Sequence, residues 1–591
     1  MSDWRAASEA EAQPCHFGTW MTFEKDRKRR RRQIGAFASC WWSRRGSIGP
    51  VLHLATRRTT DESVIEAQGS CVRRLNHSIR ERDLVTAMSK PYSRRYFLGV
   101  ALASSVLPIL PGAARAALPL PKRLVAETRV LEVNGRPTKV FGLIGPDGRP
   151  GIRLGAGERF RVDLVNKAGT RTLVHWHGQL PPWAQDGFPW PQTPPIANGT
   201  IQAYDYAPIP GTYWMHSHHD MQEQSLMTAP LIVHDVAGLR EDRQEIVLML
   251  HDFTFRTPDE VLAGLTGASA AAAQAMAQRV EDDPGRKGAS NAPQPRTGRM
   301  AVDMPDMAMP GMAMSGPGGM QMDLNDVHYD AFLANDRTLA DPEIVRVERG
   351  GRMRFRIING ASSSQFWVDL GELVGRVVAT DGHPVHQVAG SRFPIAMAQR
   401  LDILLDLPRA GAFPILARLE GTGRQTGIFL ATAGARIPRI ADSAQTAPPL
   451  DNSLETRLAA VEPLPRRPAD IVRTIALGGG MKPYAWSMNG EYWPQVTPLM
   501  LRKGQRVEID LVNRSMMAHP IHLHGHAFQV IAIDGRAIQG AVRDTVLVTP
   551  MGRVRIAFDA DNPGRWPFHC HNLYHMVTGM LTEFRYQGIA T

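Results

Sequence analysis

Cysteine is scarce: 591 residues contain four, and three of them, Cys15, Cys40 and Cys71, precede residue 88. The remainder of the chain holds Cys570 alone, which excludes an intrachain disulfide there and leaves a thiol that is either inert or bound to something. Charge of one sign is also missing from most of the chain. The formal +11 lies at the front, where residues 1–116 hold 20 Lys+Arg against 10 Asp+Glu. Residues 117–591 are left nearly neutral, so a nucleic-acid partner is not expected. Long apolar runs are lacking too. The apolar run at residues 99–110 falls well short of the ~20 residues that span a bilayer, so no stable membrane span is expected. What remains is the hydrophobic content of a globular protein, 43%, over a length sufficient for three or four domains.

Ser93, Arg94, Arg95, Tyr96, Phe97 and Leu98 precede that run, and Ala114-Arg115-Ala116 follows it with small residues suited to cleavage. Residues 88–116 thus resemble a twin-arginine signal peptide, which implies passage through the twin-arginine export machinery and a periplasmic or otherwise exported destination. Met88 stands five residues before the motif, as a natural start would. Residues 1–87 read either as an over-extended gene start or as a disordered basic tail.

Three segments share one pattern: 157–166 (GERFRVDLVN), 350–359 (GGRMRFRIIN) and 504–513 (GQRVEIDLVN). Alternating apolar and polar residues mark a strand with one buried face, opened by Gly and closed by a turn-forming Asn. A strand end precedes each copy, at 131–134, 332–335 and 486–489, followed by Gly or Asp as a hairpin turn requires. A second pattern occurs twice, 210–218 (PGTYWMHSH) and 563–571 (PGRWPFHCH); in the middle copy Leu416 stands where the others have their first His. The fold class expected is all-β, with three β-sandwiches at 117–240, 241–440 and 465–591. The middle one should be free of metal ligands and carry one mobile insertion at 257–325.

Histidine is concentrated in four places: His175 and His177; His216 and His218; His519, His522 and His524; His569, His571 and His575 around Cys570. Residues i and i+2 of a strand face the same way, so four His-x-His pairs aim eight imidazoles at one locus. Eight neutral nitrogens drawn equally from the first and third domains suit several copper ions between those domains. Structural zinc takes four ligands and prefers cysteines, which this set does not offer. Cys570 must point away from its two flanking histidines, where His519 and His575 complete a trigonal site with Met580 as weak axial ligand. His219, His251, His383, His386 and His526 stand outside the clusters and read as ordinary packed residues.

These four motifs resemble the copper motifs of the multicopper oxidase family, and the three repeats resemble its Greek-key cupredoxin domains, over residues 117–591. The resemblance implies four coppers per chain: a type 1 copper on His519, Cys570, His575 and Met580; a type 2 copper on His175 and His522; and a type 3 pair on His177, His216, His218, His524, His569 and His571. It implies an oxidoreductase that takes electrons from Cu(I) or a small organic reductant and gives them to dioxygen. The signal and the methionine-rich stretch are similar to bacterial copper-resistance oxidases, whereas HPIHLHGHAF at 519–528 reads equally as a laccase motif.

Eight methionines, 300, 304, 307, 309, 312, 314, 320 and 322, lie among Pro, Gly, Asp and Ala. Thioethers favour Cu(I), so Met304, Met307, Met309, Met312 and Met314 are candidate substrate-copper ligands, as are Met516 and Met517 before His519. Met517 matches the substrate-copper methionine of the family's cuprous oxidases, and Ser515 replaces the acid those enzymes carry two places earlier. Reduction of dioxygen consumes protons, for which Asp186, nine residues after His177, is the leading donor. Where some members carry a glutamate after the last ligand His, this chain has Met576; Glu223 could stand in, although its polar segment suggests an exposed position. Laccase-like oxidation of organic substrates and a periplasmic copper store are the competing readings.

Overall fold

The structure is a computed structural model that describes residues 120–281 and 324–589. The signal, the leading extension and the methionines at 300–322 lie outside the described residues. Among the described residues no helix is long and apolar enough to cross a membrane.

The three repeated strands occupy equivalent places in three sandwiches. Phe160–Lys167, Arg352–Asn359 and Arg506–Asn513 each run parallel to the opening strand of their sandwich and antiparallel to a later one. Their alternation buries Phe160, Val162 and Leu164, then Met353, Phe355 and Ile357, then Val507, Ile509 and Leu511, each worth about 1.5–3 kcal/mol of transfer free energy. The preceding strand ends also behave as their sequence requires. Asn134, Asn335 and Asn489 take left-handed φ of 51°, 50° and 55°, and each opens a two-residue turn, closed by Val133 with Arg136, Ala334 with Arg337 and Met488 with Glu491.

The closing asparagines do more than end a strand. In each sandwich the side chain is buried, its Oδ1 accepting from the backbone two residues on (Ala168, Ala361, Ser515) and its Nδ2 donating to a carbonyl of the loop that follows (Thr170, Ser364, Met517). This turn swings the chain out of one sheet and into the other. In the outer sandwiches that second sheet carries the histidine motifs. Val174–His175 pairs with Gly211–Ser217, placing His175 opposite His216. His519–Leu523 pairs with Arg565–Cys570, placing His522 opposite His569.

The mobile insertion expected at 257–325 requires correction at its near end. Pro258–Thr266 and Ala270–Gln278 are helices, the first closed by a full capping box between Thr257 and Glu260 and the second capped by Ser269. Val261, Leu262, Ala273, Ala277 and Val280 are buried in one cluster with Phe188 and Trp190 of the first sandwich and Trp493 of the third. The indole N–H of Trp493 donates to the Arg279 carbonyl at 2.8 Å. The Pro-, Gly- and Met-rich composition of the later part of this segment concealed the helical spacing of its beginning.

A buried ionic junction ties all three sandwiches together. Arg400 is fully buried and donates to the Thr212 carbonyl of the first sandwich (3.2 Å) and to Asp544 of the third (2.8 Å), with Asp381 beside it. Arg543 pairs in turn with Asp381 (3.0 Å) and with Glu455 of the linker. Gly178 makes room for the junction: at its φ of +84° a Cβ would stand 2.5 Å from both Arg400 Nη2 and Asp544 Oδ2. Removing one partner of a buried pair strands the other, at a cost of about 3–5 kcal/mol. Arg400→Met is therefore expected to lower the unfolding midpoint of the described domains by that equivalent in a denaturant titration; a midpoint within experimental error of the parent would show that the junction adds nothing to stability.

Candidate metal centre

The eight histidines predicted to converge do so, and they interleave across the seam between the first and third sandwiches. His175 stacks on His524 with ring centroids 3.9 Å apart, and His177 on His522 at 3.7 Å. His216 faces His571 at 5.0 Å and His218 faces His569 at 5.3 Å. All eight are buried. Two triads stand out within the group: ligand atoms of His218, His524 and His569 lie within 4.8 Å of one another, and the rings of His177, His216 and His571 are 5.0–5.6 Å apart.

Five of these rings have one nitrogen tied to a protein oxygen. His175 and His522 donate Nδ1–H to the carbonyls of Asp186 (2.9 Å) and Asp544 (2.8 Å), and His569 Nδ1 donates to that of Cys570 (2.9 Å). His524 Nδ1 meets the Asp186 carboxylate at 2.7 Å, and His177 Nε2 meets that of Asp544 at 3.0 Å. The other nitrogens of His175, His177 and His522 are buried with no protein partner, as are both nitrogens of His218 and His571. One nitrogen fixed and one lone pair waiting is the arrangement of metal-ligating histidines. Burial, reinforced in most cases by neighbouring imidazoles, holds His177, His216, His218, His522, His524, His569 and His571 below the usual histidine range, so their rings are neutral and able to ligate.

The second convergence lies on the opposite face of the strand Arg565–Cys570. Cys570 Sγ stands 3.7 Å from His519 Nδ1 and 3.6 Å from His575 Nδ1, and those two nitrogens are 3.1 Å apart. The three side chains are fully buried. Met580 is buried alongside and is tied by backbone bonds to Cys570 and His575. Burial pushes the Cys570 thiol up, so a thiolate here requires a cation to sustain it. Three donors converging on one point, one of them sulfur, fit a copper of the trigonal His₂Cys kind.

Asp186 is buried between the two halves of the histidine group, with Oδ1 3.3 Å from His175 and Oδ2 2.7 Å from His524. Glu223 corrects the expectation of an exposed position: it is 3% exposed, 2.7 Å from His216 Nδ1 and 3.9 Å from His571 Nδ1. Tight left-handed turns at Asp220 and Met221 fold its polar segment inward, which composition does not disclose. Burial, with Asp252 nearby, raises its carboxyl well above the usual range. Met516 is 54% exposed, whereas Met517 is half-buried against the core. Met304, Met307, Met309, Met312 and Met314 lie outside the described residues.

Three contacts were not foreseen. Asp544 reaches His177 and His522 because the strand Thr545–Val548 pairs with His519–Leu523, and no sequence spacing announces that pairing. At the far nitrogens of the two rings beside Cys570, Asp326 lies 3.0 Å from His575 Nε2 and Ser515 Oγ meets His519 Nε2 at 2.8 Å. Asp326 comes from the second sandwich, 246 residues before its other partner, Asn572.

Family models described as multicopper oxidase match residues 126–238, 246–439 and 466–588. Multicopper oxidase MmcO of Mycobacterium tuberculosis (strain ATCC 25618 / H37Rv) is 32% identical over 84% of this chain and 97% of its own length. A copper resistance protein A homolog of Pseudomonas syringae pv. tomato is 26% identical over 78% of this chain and 91% of its own. Among solved structures, Fet3p, a multicopper oxidase that functions in iron import, superposes with a TM-score of 0.59 at 20% identity over 79% of this chain and 90% of that one. The laccase of Botrytis aclada does so with 0.59 at 19% identity, over 79% and 88%. These two likenesses establish the fold.

The depressed histidines give the metal-free protein a specific acid response. Their folded-state pKa values lie below the unfolded value of about 6.5, so below that pH the unfolded chain takes up protons that the folded chain refuses. The stability they contribute is present above that value and is lost as pH falls beneath it. Urea midpoints of metal-free protein should therefore drop steeply between about pH 7 and 5; a flat profile would mean that the fold does not hold these imidazoles neutral.

Proposed function

The chain belongs to the multicopper oxidase family, whose members are copper oxidoreductases that use dioxygen, and from that membership we propose that it oxidises Cu(I) outside the cytoplasm in the service of copper tolerance. The observation that carries this reading is the run of eight methionines at 300–322, since thioethers bind Cu(I) and hold Cu(II) poorly. It is supported by the exposed Met516 three residues before His519 and by relatives named for copper resistance. The twin-arginine pattern at 93–98 supports export. A laccase-like oxidation of phenols is the second reading, favoured by a 26% match to Laccase-1 of Botryotinia fuckeliana.

The residues would hold four coppers: one on His519, Cys570, His575 and Met580; one on His175 and His522; and one on each triad, His177 with His216 and His571, and His218 with His524 and His569. Copper, when bound, supplies one-electron redox chemistry and the four-electron reduction of dioxygen. The protein fixes where electrons enter. Ser515 hydrogen-bonds the far nitrogen of His519 and the Asp326 carboxylate lies 3.0 Å from that of His575, which favours rings that turn their near nitrogens toward the Cys570 sulfur. From Cys570 the covalent path to the histidine group is one peptide unit in either direction, to His569 and to His571. Protons arrive from two sides, with Asp186 against His175 and His524, and Glu223 against His216 and His571. Glu223, whose burial raises its carboxyl above the usual range and so favours the protonated acid, is placed to pass a proton inward.

Glu223→Gln keeps the shape and loses the proton. It is expected to slow reoxidation by dioxygen by about 10²–10⁴-fold while leaving reduction of the Cys570 copper unchanged, as read by stopped-flow loss and return of the blue absorption. Equal slowing of both halves would remove Glu223 from this role. Deleting residues 300–322 should impair Cu(I) oxidation and leave phenol oxidation unchanged or faster, measured as paired steady-state rates on protein confirmed to retain its copper. Undiminished Cu(I) turnover would put the laccase reading first.

A further inference from the structure

A cavity of about 460 Å³ lies between the first and second sandwiches, and none of the candidate copper ligands lines it. The first sandwich contributes Arg149 and Arg153, and the second contributes Ile246, Met249 and His251. Volume and mixed lining are those of a small-molecule site. The acids around the cavity are already engaged: Asp336 pairs with Arg129 at 2.8 Å, Glu245 accepts from Arg356 at 2.6 Å, and Glu343 accepts from Asn335 Nδ2 at 2.6 Å. Three groups are left over. The guanidinium groups of Arg149 and Arg153 have no partner among the described residues, and His251, 5% exposed, has a buried Nδ1 with none either. Its Nε2 meets Thr228 Oγ1 at 2.8 Å, and with that hydroxyl donating, the ring proton stays on Nδ1. All three leftovers are then donors, two of them cationic.

The arginines are held in place by their turn. The Asp147 carboxylate accepts from the Arg149 backbone N–H at 3.1 Å, and the Arg149 carbonyl accepts from the N–H of Gly145 at 2.8 Å. Gly151, between the two arginines, has a φ of +87°, and a Cβ there would stand 2.0 Å from the Pro230 carbonyl oxygen. Glycine is required for this segment to lie so close on the strand Thr228–Val233, where both arginine side chains line the cavity.

We propose that this cavity is a binding site for a small organic anion, a carboxylate carried on an apolar body, which ties the first sandwich to the second. The carboxylate meets Arg149 and Arg153, whose forked donors match its two oxygens, with the His251 N–H as a donor from the second sandwich. The apolar body lies on Ile246, Val247 and Met249. Inorganic phosphate fits less well, since those three side chains offer its remaining oxygens no donor. The site makes no use of copper, so it stands or falls apart from the oxidase reading.

The test titrates full-length, copper-loaded protein with benzoate in a calorimeter. Benzoate should bind saturably, and Arg149→Gln/Arg153→Gln should weaken it by about 10–100-fold; both positions are exposed, so the fold is retained. Arg502→Gln, which removes an exposed arginine of the third sandwich, should bind as the parent does. Benzamide keeps the shape and loses the charge, inorganic phosphate keeps the charge and loses the ring, and both should bind at least about tenfold more weakly. In reduced, diamagnetic protein the Met249 methyl resonance, assigned by its absence from the near-isosteric Met249→Leu, should move as benzoate is added. Metal-free protein should bind benzoate as tightly as loaded protein. Absence of saturable binding, equal affinity in the double variant, or a stationary Met249 resonance would overturn the site. Benzamide or phosphate binding as tightly as benzoate would overturn the ligand class, and affinity lost with the copper would put the anion on metal instead.

Discussion

Eight imidazoles share a buried seam between two β-sandwiches, and burial favours them neutral and with a partner for each polar nitrogen. The nearby structure answers that demand. Backbone carbonyls of Asp186, Asp544 and Cys570 and the carboxylates of Asp186 and Asp544 occupy one nitrogen on each of five rings. The orphaned nitrogens are left for metal. The carboxylates in turn need compensation. Arg400 and the imidazole of His177 hold Asp544 well below the usual carboxylate range even though its burial pushes the other way. The ligand-free middle sandwich is thus an electrostatic part of the centre: it supplies Arg400 to one site and Asp326 to the other.

The alternation of a β-strand explains how two candidate metal sites share one tripeptide. Neighbouring residues point to opposite faces, so His569 and His571 enter the seam while Cys570 faces His519 and His575. Any one-residue slip of this strand would exchange the two faces and destroy both sites together. Pairing to His519–Leu523 on one side and to Leu581–Tyr586 on the other fixes the register. The buried closing asparagines bring the chain into these second sheets at the right point.

The fold and the convergence of the histidines were legible because both rest on short-range periodicity. The three Gly-to-Asn strands declare themselves by alternation, and the His-x-His pairs by the same rule. The groups that hold the ligands were not legible, because they arrive through tertiary pairing. Asp544 reaches His177 across 367 residues and Asp326 reaches its partners from another sandwich. Glu223 lies in a stretch rich in Gln and Asp that composition assigns to the surface, yet two left-handed residues turn it inward. The helices at 258–278 were hidden for a different reason, since their capping signals and short apolar stripe were outweighed by the Pro-, Gly- and Met-rich composition of the adjoining residues.

The even division of the histidine group has a consequence for biogenesis. Each outer sandwich owns four of the eight imidazoles, so neither can assemble the group while folding by itself, and every close ring pair across the seam joins residues far apart in sequence. Metal capture there has to wait for the last sandwich to emerge and dock, since no earlier stage of synthesis presents the complete set. The Cys570 site is different: all its donors come from residues 519–580, so it can close as soon as the third sandwich folds. The candidate centres therefore differ in timing, one able to close within the third sandwich and the other only after both ends of the chain have met.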